Sequence, residues 1–200
     1  MSASPSSSRT LPVSLPSLLL ALCLLLAGPQ AWAGLMLDET TPPRDLHGLV
    51  DFLDDPQADL SLLDVSRANA PFRPSSERRD LSFGYVPGVV WLRLPLQSSA
   101  AATLSWRLEL NYASLDEVRL YDVGADGVRE SRSGDTVPYA QRSVGHRNPV
   151  FEIVLRPGEQ RTLYLRADSR GSMTLSGELM SAHAFEQHSQ KGYLVHALYC

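Results

Sequence analysis

Leu104-Ser105-Trp106-Arg107-Leu108-Glu109-Leu110-Asn111 alternates strictly: Leu104, Trp106, Leu108 and Leu110 fall on one side, and Arg107, Glu109 and Asn111 on the other. Successive side chains of an extended strand point to opposite faces, so this period of two predicts a strand with one buried and one solvated face. Trp106 shares the aliphatic side and is assigned to the core. The rhythm recurs upstream in Val90 to Leu96, where Val90, Leu92, Leu94 and Leu96 share a side while Trp91 and Arg93 point away. Pro95 has no N–H for a ladder and predicts an edge position or a bulge there. Downstream, Glu117 to Tyr121 puts Val118 and Leu120 inside and Arg119 and Tyr121 outside, and Asp126-Gly127 is a turn signal. Val150 to Leu155, apolar on both sides apart from Glu152, predicts a central strand. Pro157-Gly158 turns the chain into Arg161 to Ala167, with Leu163 and Leu165 inward and Tyr164 and Arg166 outward, and Met173 to Met180 reads as a last strand. Short strands punctuated by turns predict an all-β, antiparallel sandwich and not βαβ units.

The flanks say where such a domain works. Leu18 to Ala27 is an unbroken apolar run, preceded by a Ser/Pro-rich stretch whose only charge is Arg9 and followed by Ala31-Trp32-Ala33. That order is the pattern of a cleavable signal peptide over residues 1–33, and the run is shorter than the roughly 20 residues a membrane span needs. Its removal leaves 17 basic residues against 22 acidic, a balance that argues against a nucleic-acid partner. Cys23 leaves with the signal, and Cys200 then has no partner, so the fold must rely on its core. The remaining length of about 167 residues suits one domain, expected over residues 34–181. Leu46 to Leu53 reads as a short helical turn, broken by Asp54-Asp55-Pro56, and Ala68 to Arg79 as a polar loop. After Ser181, residues 182–191 are polar and helix-compatible, and Gly192 to Cys200 resembles the opening of a membrane helix that the chain does not complete.

The residues also carry a family likeness. Phe83-Gly84-Tyr85 leading into Trp91-Leu92-Arg93-Leu94, Asn111-Tyr112 before Asp116-Glu117-Val118-Arg119-Leu120-Tyr121, Gly134-Asp135, Asn148-Pro149-Val150-Phe151 and Thr162-Leu163-Tyr164-Leu165-Arg166 follow one another in order. With the apolar start at Tyr193, this order resembles the type-2 extracellular domain of bacterial seven-transmembrane receptors with diverse intracellular signalling modules. The resemblance spans roughly Leu37 to Ser181. It implies a jelly-roll-like β-sandwich, similar to carbohydrate-binding modules, that senses a small ligand on the periplasmic side of the inner membrane. It also implies attachment to the membrane through C-terminal helices and an output such as a diguanylate cyclase or a histidine kinase beyond them.

By parity alone Trp91, Arg93, Arg107, Asn111, Arg119, Tyr121, Tyr164 and Arg166 fall on free sheet faces. Aromatic rings beside guanidinium groups suit a sugar ring, an amino acid or a carboxylate, so Trp91, Arg93, Asn111, Tyr164 and Arg166 are the candidate ligand-binding residues. Arg147, in the loop before Val150, joins them because loops at a sandwich edge complete sites. Solvated strand faces also carry Arg and Tyr for cross-strand pairing alone, and Trp91 is the residue that departs furthest from that reading. The other expectation is that the same face docks a partner protein or a second copy of the chain, giving a homodimer with no small ligand. No Gly-x-Ser-x-Gly elbow, His-Glu-x-x-His pair or phosphate-cradling loop is present, and His47, His146, His183, His188 and His196 lack ligand spacing. The reading is therefore of a non-enzyme with no catalytic residue, no metal and no cofactor.

Overall fold

The computed structural model describes the backbone of residues 34–198 and the side chains of residues 34–190; the expected leader (1–33) and the side chains of the expected apolar tail (192–200) lie outside the described residues. The chain opens with β1 (Leu35–Leu37), β2 (Arg44–Asp45) and β3 (Asp51–Asp55), then a single-turn helix α1 (Leu62–Val65) and β4 (Arg73–Pro74). Next come β5 (Ser82–Gly84), the long β6 (Val89–Ser98), β7 (Leu104–Leu110), β8 (Glu117–Gly124) and β9 (Gly127–Ser133). β10 (Val150–Leu155), β11 (Gln160–Asp168), β12 (Met173–Thr174), β13 (Gly177–Ser181) and the helix α2 (Ala182–Leu198) follow.

Two sheets sandwich the core. The larger is ordered β4-β3-β6-β11-β8-β9 with β1 beside β6, the smaller β10-β7-β13-β2, and β5 and β12 form a separate ribbon. All pairings are antiparallel except β1 with β6. The chain passes repeatedly from one sheet to the other, as in a jelly roll. The alternation read from the sequence sets the interior: Leu92, Leu94, Leu120, Leu163 and Leu165 of the larger sheet meet Trp106, Leu108, Phe151, Ile153 and Leu179 of the smaller, all buried. The fold is the expected all-β sandwich with a short C-terminal helix.

Four local expectations need correction. The stretch read as a helical turn at Leu46 to Leu53 is a turn followed by strand β3, because both Phe52 and Leu53 find buried partners on the two faces of the sheet. β6 is a central strand despite Pro95. Pro95 faces Thr162 of β11, while on the other side of β6 the pairing with β3 ends at Arg93 and that with β1 begins at Leu96. The proline thus occupies a seam where no neighbour asks for its N–H. β10 is an edge strand, not a central one; its second apolar face is covered by Phe185 of α2, which packs on Val150. Met173 to Met180 splits into β12, paired with β5, and β13, paired with β7.

The Gly134-Asp135 pair has a local cause. Gly134 adopts φ +131°, and a Cβ there would stand 2.5 Å from the Asp116 carbonyl oxygen, while Asp135 N donates to the Leu115 carbonyl at 2.7 Å. Only glycine lets the β9 exit lie this close to the β8 entry.

At one end of β11 the inward parity carries a charge. Arg161 is 3% exposed and donates to Asp122 Oδ1 at 3.2 Å, Glu159 Oε1 at 2.7 Å and Asp126 at 3.0 Å. Burial pushes the Asp122 carboxyl above the usual carboxylate range, against the pull of Arg161. Burial opposes the charge on Arg161 as well, but the Glu159 and Asp122 bonds outweigh it and hold the guanidinium charged more firmly than in water. Removing one member of a buried pair strands the other. Arg161→Ala is therefore expected to lower stability by about 3–5 kcal/mol in urea unfolding at pH 7, whereas Arg161→Met combined with Asp122→Leu stays within about 2 kcal/mol of the native chain.

Candidate functional site

Cross-strand register turns the outer face of the larger sheet into rows. One row runs Asp51, Arg93, Tyr164, Tyr121 and Glu130 across β3, β6, β11, β8 and β9. The next runs Leu53, Trp91, Arg166, Arg119 and Arg132. Glu117 and Asp168 stand opposite each other in the row beyond. Trp91, Arg93, Tyr164 and Arg166 therefore share one face, with Arg93 directly opposite Tyr164 and Trp91 directly opposite Arg166.

Half of this face is covered. The segment Pro56 to Phe72, including α1, folds over it, and Trp91, Tyr164, Leu53, Val65 and Val89 form a second buried cluster beneath Leu60, Leu62 and Phe72. Ser61 caps α1: its hydroxyl accepts from Asp64 N and its own N–H donates back to the Asp64 carboxylate, which holds so short a helix in place. Asp55, 2% exposed, anchors the start of the cover by accepting from Asp59 N at 3.3 Å and Leu60 N at 3.2 Å, and it also accepts the Trp91 indole N–H at 3.4 Å. Trp91 stacks on Tyr121 with centroids 5.9 Å apart, and Phe72 lies 6.2 Å from Tyr164 and beneath the Arg93 guanidinium at 4.4 Å. Arg93 is further held by Asp51 at 2.8 Å. Burial raises the Tyr164 hydroxyl above its ordinary pKa.

The expectation that Trp91 and Tyr164 stand on a free face is thus corrected: they are 1% and 6% exposed. Parity placed them on the outer side correctly but does not report that a loop lies over that side. As core residues they answer to a different test. Trp91→Ala should cost about 3–5 kcal/mol of unfolding free energy, and Trp91→Phe clearly less; a ring open to solvent would leave the unfolding midpoint unchanged.

Away from the cover the row continues through Arg166, Arg119 and Arg132 side by side, increasingly exposed toward the sheet edge at 17%, 32% and 51%. Like charges directly opposite on neighbouring strands repel, and here three do so in succession. Carboxylates one pleat away offset the repulsion. Arg119 Nε donates to Glu117 Oε1 at 2.6 Å, Arg132 Nε to Glu130 Oε1 at 3.0 Å, and Arg166 comes only within 3.7 Å of Asp168. The bond from Arg119 holds the Glu117 carboxyl below its usual range, and that bond in turn raises Arg119. Such a row presents planar forks to a ligand carboxylate, with Tyr121 half-buried beside it. Arg132 was not foreseen, because β9 was not recognised. The Asp126-Gly127 signal marks a two-residue hairpin, with Gly124 paired to Gly127, and reading the alternation onward from it would have found Arg132.

Asn111 and Arg147 lie elsewhere. Asn111 follows β7 of the smaller sheet, its N–H bonded to the Ser176 carbonyl at 2.8 Å, and Arg147 is exposed in the β9–β10 loop. The sheet that carries Trp91 and Arg93 does not carry them. The outer face of the smaller sheet holds a different feature, the buried carboxylate of Glu109, 4% exposed, which accepts from Asn148 Nδ2 at 2.7 Å.

Among the described residues no helix is long and apolar enough to cross a membrane, and no group of His, Cys, Asp or Glu is placed to hold a metal ion. The fold is a sandwich with one charged, half-covered sheet face. The chain matches the family model described as 7TMR-DISM extracellular 2 over residues 47–181, and it belongs to that family. The family is one of extracellular sensor modules of membrane receptors, which implies a place outside the cytoplasm. A search among curated proteins finds no match.

Proposed function

We propose that this domain is the periplasmic ligand-sensing module of a bacterial transmembrane signalling receptor and that it binds a small carboxylate-bearing ligand on the uncovered half of the larger sheet. The observation that carries the reading is the row Arg166, Arg119 and Arg132 in direct cross-strand register. Glu117 and Glu130 partly neutralise Arg119 and Arg132 at 2.6 and 3.0 Å, while Arg166 comes no nearer than 3.7 Å to Asp168, so the row keeps an excess of positive charge that a ligand carboxylate would offset. Of the two ligand classes suggested by the sequence, the carboxylate is favoured over the sugar, since the ring best suited to stacking a sugar, Trp91, is buried under the cover. Arg119 and Arg132 are the more open of the three, and Arg166, less exposed, has the most distant carboxylate partner. The ligand bridges Arg166 and Arg119 bidentately, and Arg132, at the sheet edge, sets how long a dicarboxylate is accepted.

Calorimetric titration with mono- and dicarboxylates, acidic amino acids and neutral sugars tests this. A carboxylate hit is expected to lose about tenfold in affinity in Arg166→Gln or Arg119→Gln and to weaken with added salt. A hit that binds equally well to the Arg119→Gln/Arg132→Gln/Arg166→Gln chain, or a response to neutral sugars alone, would overturn the assignment of this face.

A further inference from the structure

The outer face of the larger sheet changes character along its strands. One pleat beyond Arg93, Tyr164 and Tyr121, on the side away from the arginine row, Pro95, Thr162, Val123 and Val128 stand in line across β6, β11, β8 and β9. This line carries no charge. Pro95, Thr162 and Val123 are partly buried, Val123 against the flank of the Trp91–Tyr164 cluster, whereas Val128 is 55% exposed. The next pleat is uncharged as well: Gln97 of β6 has Gln160 of β11 on one side and Met36 of β1, 50% exposed, on the other. Single exposed apolar residues are ordinary on a protein surface. Here two of them share the charge-free end of a face whose other end is a line of guanidinium groups, so the face as a whole is amphipathic.

Strand β8 joins the two ends. Its outward residues run Arg119, Tyr121 and Val123, and four residues of extended strand span about 13 Å. Between the guanidinium and the valine lies a ring and not a charge: Tyr121 is partly buried and stacked on Trp91 at 5.9 Å. The carboxylate nearest this track, Glu130 of β9, is bonded to Arg132 at 3.0 Å. On the other flank Tyr164 is buried under the cover.

We infer that the ligand of this face is an amphiphilic carboxylate, its head held by the arginine row and its unbranched apolar tail laid along β8, over Tyr121, onto Val123 and Val128. The inference rests on the carboxylate reading of the arginine row and adds the chemistry of the ligand's other end. Complementarity selects this occupant. A wholly apolar molecule would leave the guanidinium groups unanswered, and a small polar acid would leave the uncharged line in water. A second carboxylate is accommodated along the row, toward Arg132, and not at the end of the tail. The length of the track corresponds to an extended chain of roughly ten carbons.

Calorimetric titration of the full chain with butanoate, hexanoate, octanoate and decanoate, each below its micelle concentration, reads the tail. Affinity is expected to rise about twofold per methylene, short of the roughly fourfold of complete burial because the face is open on one side. Val123→Thr combined with Val128→Thr keeps the branched shape that strands favour and leaves the arginines in place. It should weaken decanoate on the order of tenfold and leave butanoate unchanged. Should the double change prevent folding, Val128→Thr alone, at the exposed position, decides with an expected loss of about threefold for decanoate. Affinity independent of chain length, with butanoate still weakened by Arg119→Gln, would overturn this inference and leave the arginine row standing. So would a rise with chain length that survives the valine substitutions. Decanoate binding indifferent to Arg119→Gln would remove the arginine-row reading itself, and this inference with it. A dimer seen by light scattering without any acid present, and lost in the threonine variant, would assign the uncharged line to a second copy of the chain and overturn the inference.

Discussion

Everything outside the core hangs on the pairing of β6 with β11. The two strands are in register from Val89 with Asp168 to Gln97 with Gln160, and a slip of one residue would turn the faces of one strand over against the other. In the native register the leucines go inward and the aromatic and charged residues go outward together. The same register continues through β8 and β9, which is how three arginines from three strands come to lie in one line. The aromatic cluster could not survive a change in that pairing, and the arginine row depends in the same way on the β11–β8 and β8–β9 registers.

Parity was therefore the most informative signal in the sequence. It placed Leu92, Leu94, Leu163, Leu165 and Trp106 in the core and put Trp91, Arg93, Tyr164 and Arg166 together on one face. What it could not convey is coverage. Residues that point out of a sheet meet solvent only if nothing lies over them, and both outer faces here are partly roofed. The roof of the larger sheet is built from Leu60, Leu62, Val65 and Phe72, scattered through a stretch with only one helical turn and no period long enough to announce itself. The roof of the smaller sheet is the first turn of α2, through Phe185. The same lack of coverage information made β10 look central when it is an edge strand with a helix on it. Asn111 and Arg147 failed to join the other candidates for a separate reason. Strand periodicity gives a side chain its face but not its sheet.

The two faces divide the work. The larger sheet carries a line of positive groups and is backed by the main core. The smaller sheet carries the helix by which the chain departs, docked through one aromatic ring beside a buried carboxylate. Under the function proposed above, recognition belongs to the first of these faces. The sandwich core, shared by Leu108, Phe151 and Leu165 among others, is the material that lies between them.

At Pro95 the consequence concerns strand pairing and not recognition. In a β-rich chain each open strand edge is an invitation to a neighbouring chain. β6 is its longest strand and holds the densest aliphatic run. The break between β3 and β1 leaves a short stretch of that strand without a partner, where a foreign strand would otherwise start to pair. A proline in that gap offers no N–H. The interruption that made the sequence look like an edge strand thus leaves the one gap beside a central strand without a donor for a foreign strand to bond.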